Sequence, residues 1–362
     1  MASPVVEMLG VASAFPSYEY TQQEIKQFLF SHFSLSQKSK ILYEKVLDHD
    51  SIQKRAFCFP SLSDVLTKDH NTLQKRFETG VVELGSKALQ KCFSATGIAT
   101  QSLDFVITAT CTGFLCPGLS SYLIEQCGLR KDIRTFDAVG MGCGAGLPAL
   151  EQAFHFVRSN PGTTAAVVCA EVCSAAFLES EAPDILISNG IFSDGAAAIL
   201  LQSHSSYRTL SSSSTFLFPP KIKDFQSLTI PEWRDDLRFR KKEGYLRNVL
   251  SKDVPSKVGQ AFPKLIGRIL RENGKLHVDI QHWILHPGGG KILDTIEERL
   301  ALPHSALDSS REILRAHGNM SSPTVFIVLE KEQELKSAKQ GESAILGSFG
   351  AGFSLYAVLL EF

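Results

Sequence analysis

The segment "GMGCGAGLPALEQAF" (140–154) sets Cys143 among glycines 142, 144 and 146, directly ahead of a helical pattern. A thiol attacks as thiolate, and its ordinary pKa of about 8.5 leaves little thiolate at neutral pH. A helix N-terminus supplies roughly half a positive charge and unpaired N–H groups, which favour the anion. The glycines let a substrate approach closely. Cys143 is therefore expected as an activated nucleophile for acyl transfer, although a merely buried cysteine would leave a similar local sequence. Two further segments carry complementary chemistry: His286 ends the apolar run "QHWILH" and precedes "PGGG", and Asn319 lies in "HGNMSSPT". Singly, they read as a strand-end histidine and a helix N-cap. Aimed together at one point, an imidazole N–H and a carboxamide bind a thioester oxygen and stabilise an enolate there.

The elements that must position these groups form a repeat. Short runs such as "LDFVITATC", "TTAAVVCAE", "GAAAILLQ", "TVFIVLE" and "FSLYAVLLEF" are rich in Val, Ile and Ala, as in strands covered on both faces. Longer helical patterns, among them "LPALEQAFHFVRS" and "VGQAFPKLIGRILREN", lie between them and indicate an α/β fold. A serine-rich break at 203–215 divides the chain into residues 1–203 and 216–362. Asp104 precedes Cys143 by 39 residues, and Gln281 precedes Asn319 by 38. Cys143 and Asn319 thus stand at matching places, each heading the helix that follows the first core strand of its half. If the halves pack about a pseudo-twofold axis, both helix heads and the strand-end residues Thr112 and His286 face one cleft.

Composition narrows the function classes. Thirty-seven Lys and Arg balance 38 Asp and Glu, so no overall field recruits nucleic acid or an anionic membrane. The N-terminus lacks the basic start and apolar centre of a signal peptide, and no apolar run approaches the roughly 20 residues that span a bilayer. A cytoplasmic protein without integral membrane association is the expectation. The eight cysteines include no CxxC pair and no neighbouring His or Asp suited to zinc, so no metal site is expected.

Nearly the whole chain resembles the type III polyketide synthases, the chalcone synthase-like group of the thiolase superfamily. "FPSYEYTQQEI", "GMGCGAG", "IFSDGAAA", "LSKDVP", "WILHPGGGKILD", "HGNMSSPTVFIVL" and "FGAGFS" carry the likeness. Gly144, where plant enzymes hold a phenylalanine, places it nearer bacterial members. The resemblance implies a thiolase-like α/β fold whose two pseudo-symmetric halves form a five-layered αβαβα core, working as a homodimer on malonyl-CoA and an acyl-CoA starter without metal or redox cofactor. Cys143 would hold the acyl chain, and His286 would pair with the thiolate. His286 and Asn319 would also stabilise the enolate left when malonyl-CoA loses carbon dioxide. Phe192 matches the family's gate phenylalanine, and Asn248 stands where plant members keep a second one. Cys111, Thr112, Cys173, Ala176 and Ser321 would line the cavity, Ala351 replaces a proline in the glycine-rich loop, and Cys116 would approach the partner subunit's cavity. Lys45 fits a CoA position, and Lys54, Arg55 and the basic run "RFRKK" (238–242) are further candidates for CoA phosphates. Asn248 and Gly144 suggest a wide entrance, hence a fatty-acyl starter and alkylpyrones or alkylresorcinols. A condensing enzyme of the ketoacyl synthase type, loaded by acyl carrier protein, and a non-catalytic acyl-CoA-binding relative are the alternatives.

Overall fold

The computed structural model describes residues 4–204, 214–335 and 338–362. Most of the serine-rich break lies outside the described residues. Nine strands form one sheet: β1 (Val5–Ala14), β2 (Phe105–Thr110), β3 (Arg134–Val139), β4 (Thr164–Val172), β5 (Asp194–His204), β6 (Lys221–Thr229), β7 (His282–Leu285), β8 (Ser343–Gly350) and β9 (Ser354–Glu361). Their order is β7-β8-β9-β6-β1-β5-β4-β2-β3.

The order repeats. In the first half β1 pairs antiparallel with β5, β5 antiparallel with β4, and β4 parallel with β2. In the second half β6, β9, β8 and β7 follow the same sequence of directions. The halves meet where β1 pairs antiparallel with β6, Glu7 opposite Lys221.

Five of the helices complete the layers: α1 (His70–Thr96), α2 (Gly146–Ser159), α3 (Val254–Glu272), α4 (Gly290–Leu300) and α5 (Thr324–Leu335). Side chains alternate across a strand, and β4 shows both faces occupied. Ala165, Val167 and Cys169 point into a central core with Leu147, Leu150 and Phe154 of α2 and Val325 to Leu329 of α5. Ala166, Val168 and Ala170 point outward onto Phe77, Val81, Leu84 and Leu89 of α1. The opposite outer face, with Trp283, Leu285, Ile345 and Leu359, is covered by α3 and α4. Helices thus lie between the two halves of the sheet and on their outer faces, the αβαβα layer order that the resemblance implies. The two buried helices α2 and α5 are the ones headed by Cys143 and Asn319. A separate hairpin, Leu237–Lys242 with Tyr245–Leu250, stands outside the sheet and packs on residues 173–176 and 183–191.

Candidate active site

Cys143 lies in the tight turn Gly142–Gly144 between β3 and α2. Gly142 has φ +62°, a conformation that disfavours side chains, and an added Cβ would sit 2.9 Å from the Ala351 nitrogen. Cys143 is buried, and the Ser321 hydroxyl donates to its Sγ at 3.2 Å. Ser321 itself has φ +64°, an uncommon conformation for a residue other than glycine and of the kind that collects at functional sites. Its N–H donates to Asn319 Oδ1 at 2.8 Å, and Asn319 Nδ2 donates to the Gly288 carbonyl at 3.1 Å. One Nδ2 hydrogen of Asn319 remains. Cys143, Ser321 and Asn319 are thus one hydrogen-bonded chain, ending two residues from His286.

His286 closes β7, its N–H bound to the Gly347 carbonyl at 2.8 Å. The side chain is fully buried, its ring stands edge-on to Phe349 at 5.2 Å, and neither ring nitrogen has a hydrogen-bond partner. Burial disfavours charge, so His286 is pushed down to about 3 and Cys143 up to about 12. The Ser321 hydrogen bond opposes the rise at Cys143 without cancelling it. Burial thus works against the expected thiolate–imidazolium pair in the free chain. A helix start contributes about 0.3–1 kcal/mol towards the thiolate, small against the cost of removal from water.

Glu171, at the end of β4, is a central residue that the sequence reading missed. Its fully buried carboxylate accepts from the Cys111 and Thr112 N–H groups at 2.9 and 3.1 Å, from the Thr112 and Thr110 hydroxyls at 2.8 and 3.2 Å, and from the Ser322 hydroxyl at 2.5 Å. The Cys111 thiol also reaches it at 3.2 Å and lies 3.3 Å from Ser321 Oγ. Burial raises its pKa and these donors oppose the rise. A lone acid closing an apolar strand was the available signal. Thr112, expected to face the cleft, gives its hydroxyl to Glu171 and accepts from the Val172 N–H.

Cys173 and Phe192 pack against Cys143. Phe192 and Asn319 form an isolated parallel bridge, which joins the gate position to the Asn319 turn. Cys173 and Phe192 also line a small pocket of about 20 Å3 that touches Ala176, Phe239 and Asn248. Phe239 pairs directly with Asn248 across the hairpin, so a phenylalanine fills space where the sequence suggested an opening. A larger cavity of about 550 Å3 is lined by Cys111, Gly142, Ala351, Phe239, Arg234, Asp235 and Arg238. Gly144 does not widen it: a Cβ there would meet the Tyr356 ring at 2.8 Å and the Gly350 nitrogen at 3.2 Å.

One basic candidate, Arg55, is corrected. Arg55 is fully buried, donating to Gln22 Oε1 at 2.9 Å and to the carbonyls of Asn189 and Phe192 at 2.6 and 2.9 Å, so it cannot meet a phosphate at the surface. Lys54 is paired with Glu19 at 2.8 Å. Lys45 is exposed on the helix Gln37–Leu47, and Cys116 is exposed in the loop after β2.

Comparison with known proteins bears directly on this site. The family model "FAE1/Type III polyketide synthase-like protein" matches residues 13–227, and "Chalcone and stilbene synthases, C-terminal domain" matches residues 223–362. The chain belongs to the type III polyketide synthase family. It is 29% identical to the 3,5-dihydroxyphenylacetyl-CoA synthase of Streptomyces toyocaensis over 99% of this chain and 90% of that one. The fold of this type III polyketide synthase superposes on the 1,3,6,8-tetrahydroxynaphthalene synthase of Streptomyces coelicolor with a TM-score of 0.87 at 23% identity, covering 98% of this chain and 99% of the other. It superposes on the polyketide synthase PKS-I of the brown alga Ectocarpus siliculosus with a TM-score of 0.89 at 23% identity, covering 100% and 99%. Family membership makes the protein an acyltransferase, and the likeness to the two solved structures bears out the thiolase-like fold.

Proposed function

We propose that this type III polyketide synthase condenses malonyl-CoA iteratively onto a thioester held by Cys143. The observation that carries the reading is the Cys143–Ser321–Asn319 hydrogen-bonded chain, which reaches the Gly288 carbonyl two residues from the buried, unpaired imidazole of His286. A neutral imidazole is a base. It takes the Cys143 proton as the sulfur attacks the starter thioester, and that proton leaves with the CoA thiol. A malonyl-CoA then loses carbon dioxide, and its enolate oxygen receives the free Asn319 Nδ2 hydrogen and a His286 N–H. The enolate carbon attacks the acyl carbonyl and expels the Cys143 sulfur, giving a CoA ester longer by two carbons. Loss of carbon dioxide drives the bond formation, and no step requires a metal or redox cofactor.

Cavity shape bears on the product. The roughly 550 Å3 cavity beside Gly142 carries two guanidinium groups and a carboxylate, whereas the pocket at Asn248 has room for about one water. This supports a compact, polar poly-β-keto chain over the long alkyl chain of an alkylpyrone or alkylresorcinol. Two curated relatives are likewise named for hydroxylated aromatic products. Two further features belong to the same proposal. A second copy docks along the β3 edge, where Phe136 and Val139 are exposed beside Phe114 and Cys116. A reducing, cytoplasmic setting is supported by eight cysteines that are all free thiols.

The test is mass spectrometry of products from malonyl-CoA alone and with acyl-CoA starters from acetyl to palmitoyl. Products dependent on Cys143, absent with Cys143→Ala and richest with malonyl or short starters, are expected. Efficient long-chain products would overturn the cavity reading, and turnover only from acyl carrier protein would overturn the CoA reading.

A further inference from the structure

The side chain of Asn248 is buried at 4% exposure, and neither its Nδ2 nor its Oδ1 has a hydrogen-bond partner. Each buried polar atom left unmade costs about 1–3 kcal/mol, and an apolar residue of the same size would avoid that cost. The partner across the strand is Phe239, and the pocket is walled by Phe57, Phe177 and Phe192 together with Ser174, Ser188 and Asn189. An amide held unsatisfied in an aromatic pocket is matched to a ligand that carries both a donor and an acceptor.

Position identifies which ligand. Cys173 and Phe192 pack against Cys143 and also line the Asn248 pocket. Asn248 is therefore one layer of side chains away from the sulfur. A thioester delivered to Cys143 carries its first amide nitrogen three bonds beyond the thioester sulfur when the thiol is coenzyme A, and its pantetheine arm bears two such amides. We propose that Asn248 is the recognition group for the pantetheine amides of the CoA substrates, a specificity-determining residue that replaces an aromatic gate by a polar clamp. The proposal rests on Cys143 being the acylated residue. The free pocket is nearly filled, so the arm enters by displacing the ring of Phe192 or Phe239.

The experiment compares two malonyl thioesters of equal length. The N-acetylcysteamine ester keeps the first amide, and the pentanethiol ester lacks it. Wild-type protein is expected to favour the amide-bearing ester by roughly tenfold to a hundredfold in kcat/KM. In Asn248→Leu that ratio should collapse towards one, and Asn248→Asp, which keeps the acceptor alone, should fall between. A wild type without preference overturns the proposal even if the variants do not fold. So does an Asn248→Leu that keeps the full ratio, or that changes only the number of extensions, which would assign the amide to the polyketide carbonyls. Failure of the underlying reading looks different: intact-protein mass spectrometry would then show no acyl adduct on Cys143 from malonyl- or acetyl-CoA in any protein.

Discussion

Burial pushes Cys143 and His286 each towards its neutral form, and this sets how labelling of the thiol should respond to pH. With the thiol pushed up to about 12 and the imidazole down to about 3, the free chain carries thiol and unprotonated histidine throughout the neutral range. The thiolate fraction then grows tenfold for each unit of pH well below the thiol pKa. Iodoacetamide labelling of Cys143, followed by peptide mass spectrometry, should therefore be slow at pH 6.5. It should climb with a slope near one through pH 9, without a plateau. A plateau already reached by pH 7 would mean that an imidazolium–thiolate pair exists before substrate arrives, and the base role of His286 would fall. Neutral groups in a dry pocket also suit an enzyme whose intermediates must not meet water.

At the scale of elements, the short helix Pro183–Ile191 carries the gate position on its C-terminal end, and Arg55 holds that end in place. Its guanidinium bonds the carbonyls of Asn189 and Phe192 and the Gln22 side chain, while the Asn319 N–H takes the Ile191 carbonyl at 2.9 Å. Arg55→Met would leave these acceptors buried without donors. A loss of about 2–4 kcal/mol in urea unfolding is expected, because charged hydrogen bonds and orphaned carbonyls both count. Stability within 0.5 kcal/mol of wild type, a threshold on the order of ordinary surface substitutions, would remove Arg55 from this role. The sequence shows this residue poorly: in "SIQKRAF" it reads as part of an exposed basic run, and only the packing of three distant segments buries it. Glu171 was illegible for the same reason, since its partners at Thr110 to Thr112 lie 60 residues away. Gly144 read as open space because its neighbour, Tyr356, belongs to the last strand. Cys143, His286 and Asn319 were legible because each sits where a strand ends or a helix begins. Glycines mark such places in the chain, and the two halves repeat them at nearly equal spacing. The α/β class was legible too, because strands buried on both faces read as unbroken apolar runs, while the layer order came from the family resemblance.

At the scale of the molecule, the β3 edge is the surface on which the proposed dimer would form. β3 ends the sheet order and carries Phe136 and Val139 exposed at 52% and 59%, and the neighbouring loop exposes Phe114 at 69%. Asp137 ties the two together by accepting from the Ser120 N–H and hydroxyl at 2.9 and 2.5 Å, so loop and strand form one rigid apolar border. An open apolar edge is a site for pairing with another chain, and a net charge of −1 puts no strong repulsion between two copies. Light scattering should accordingly show a dimer. Phe136→Asp combined with Val139→Lys should give a monomer, and Cys116, shielded in the dimer, should then react faster with maleimide by roughly tenfold or more, as expected for a thiol released from a buried interface. Activity should fall with dimerisation if the loop carrying Cys116 completes the partner's cavity. A wild type that is monomeric, or a double variant that remains dimeric, would place the interface elsewhere. A monomeric variant with full activity would leave the edge as an interface and confine all the chemistry to one chain.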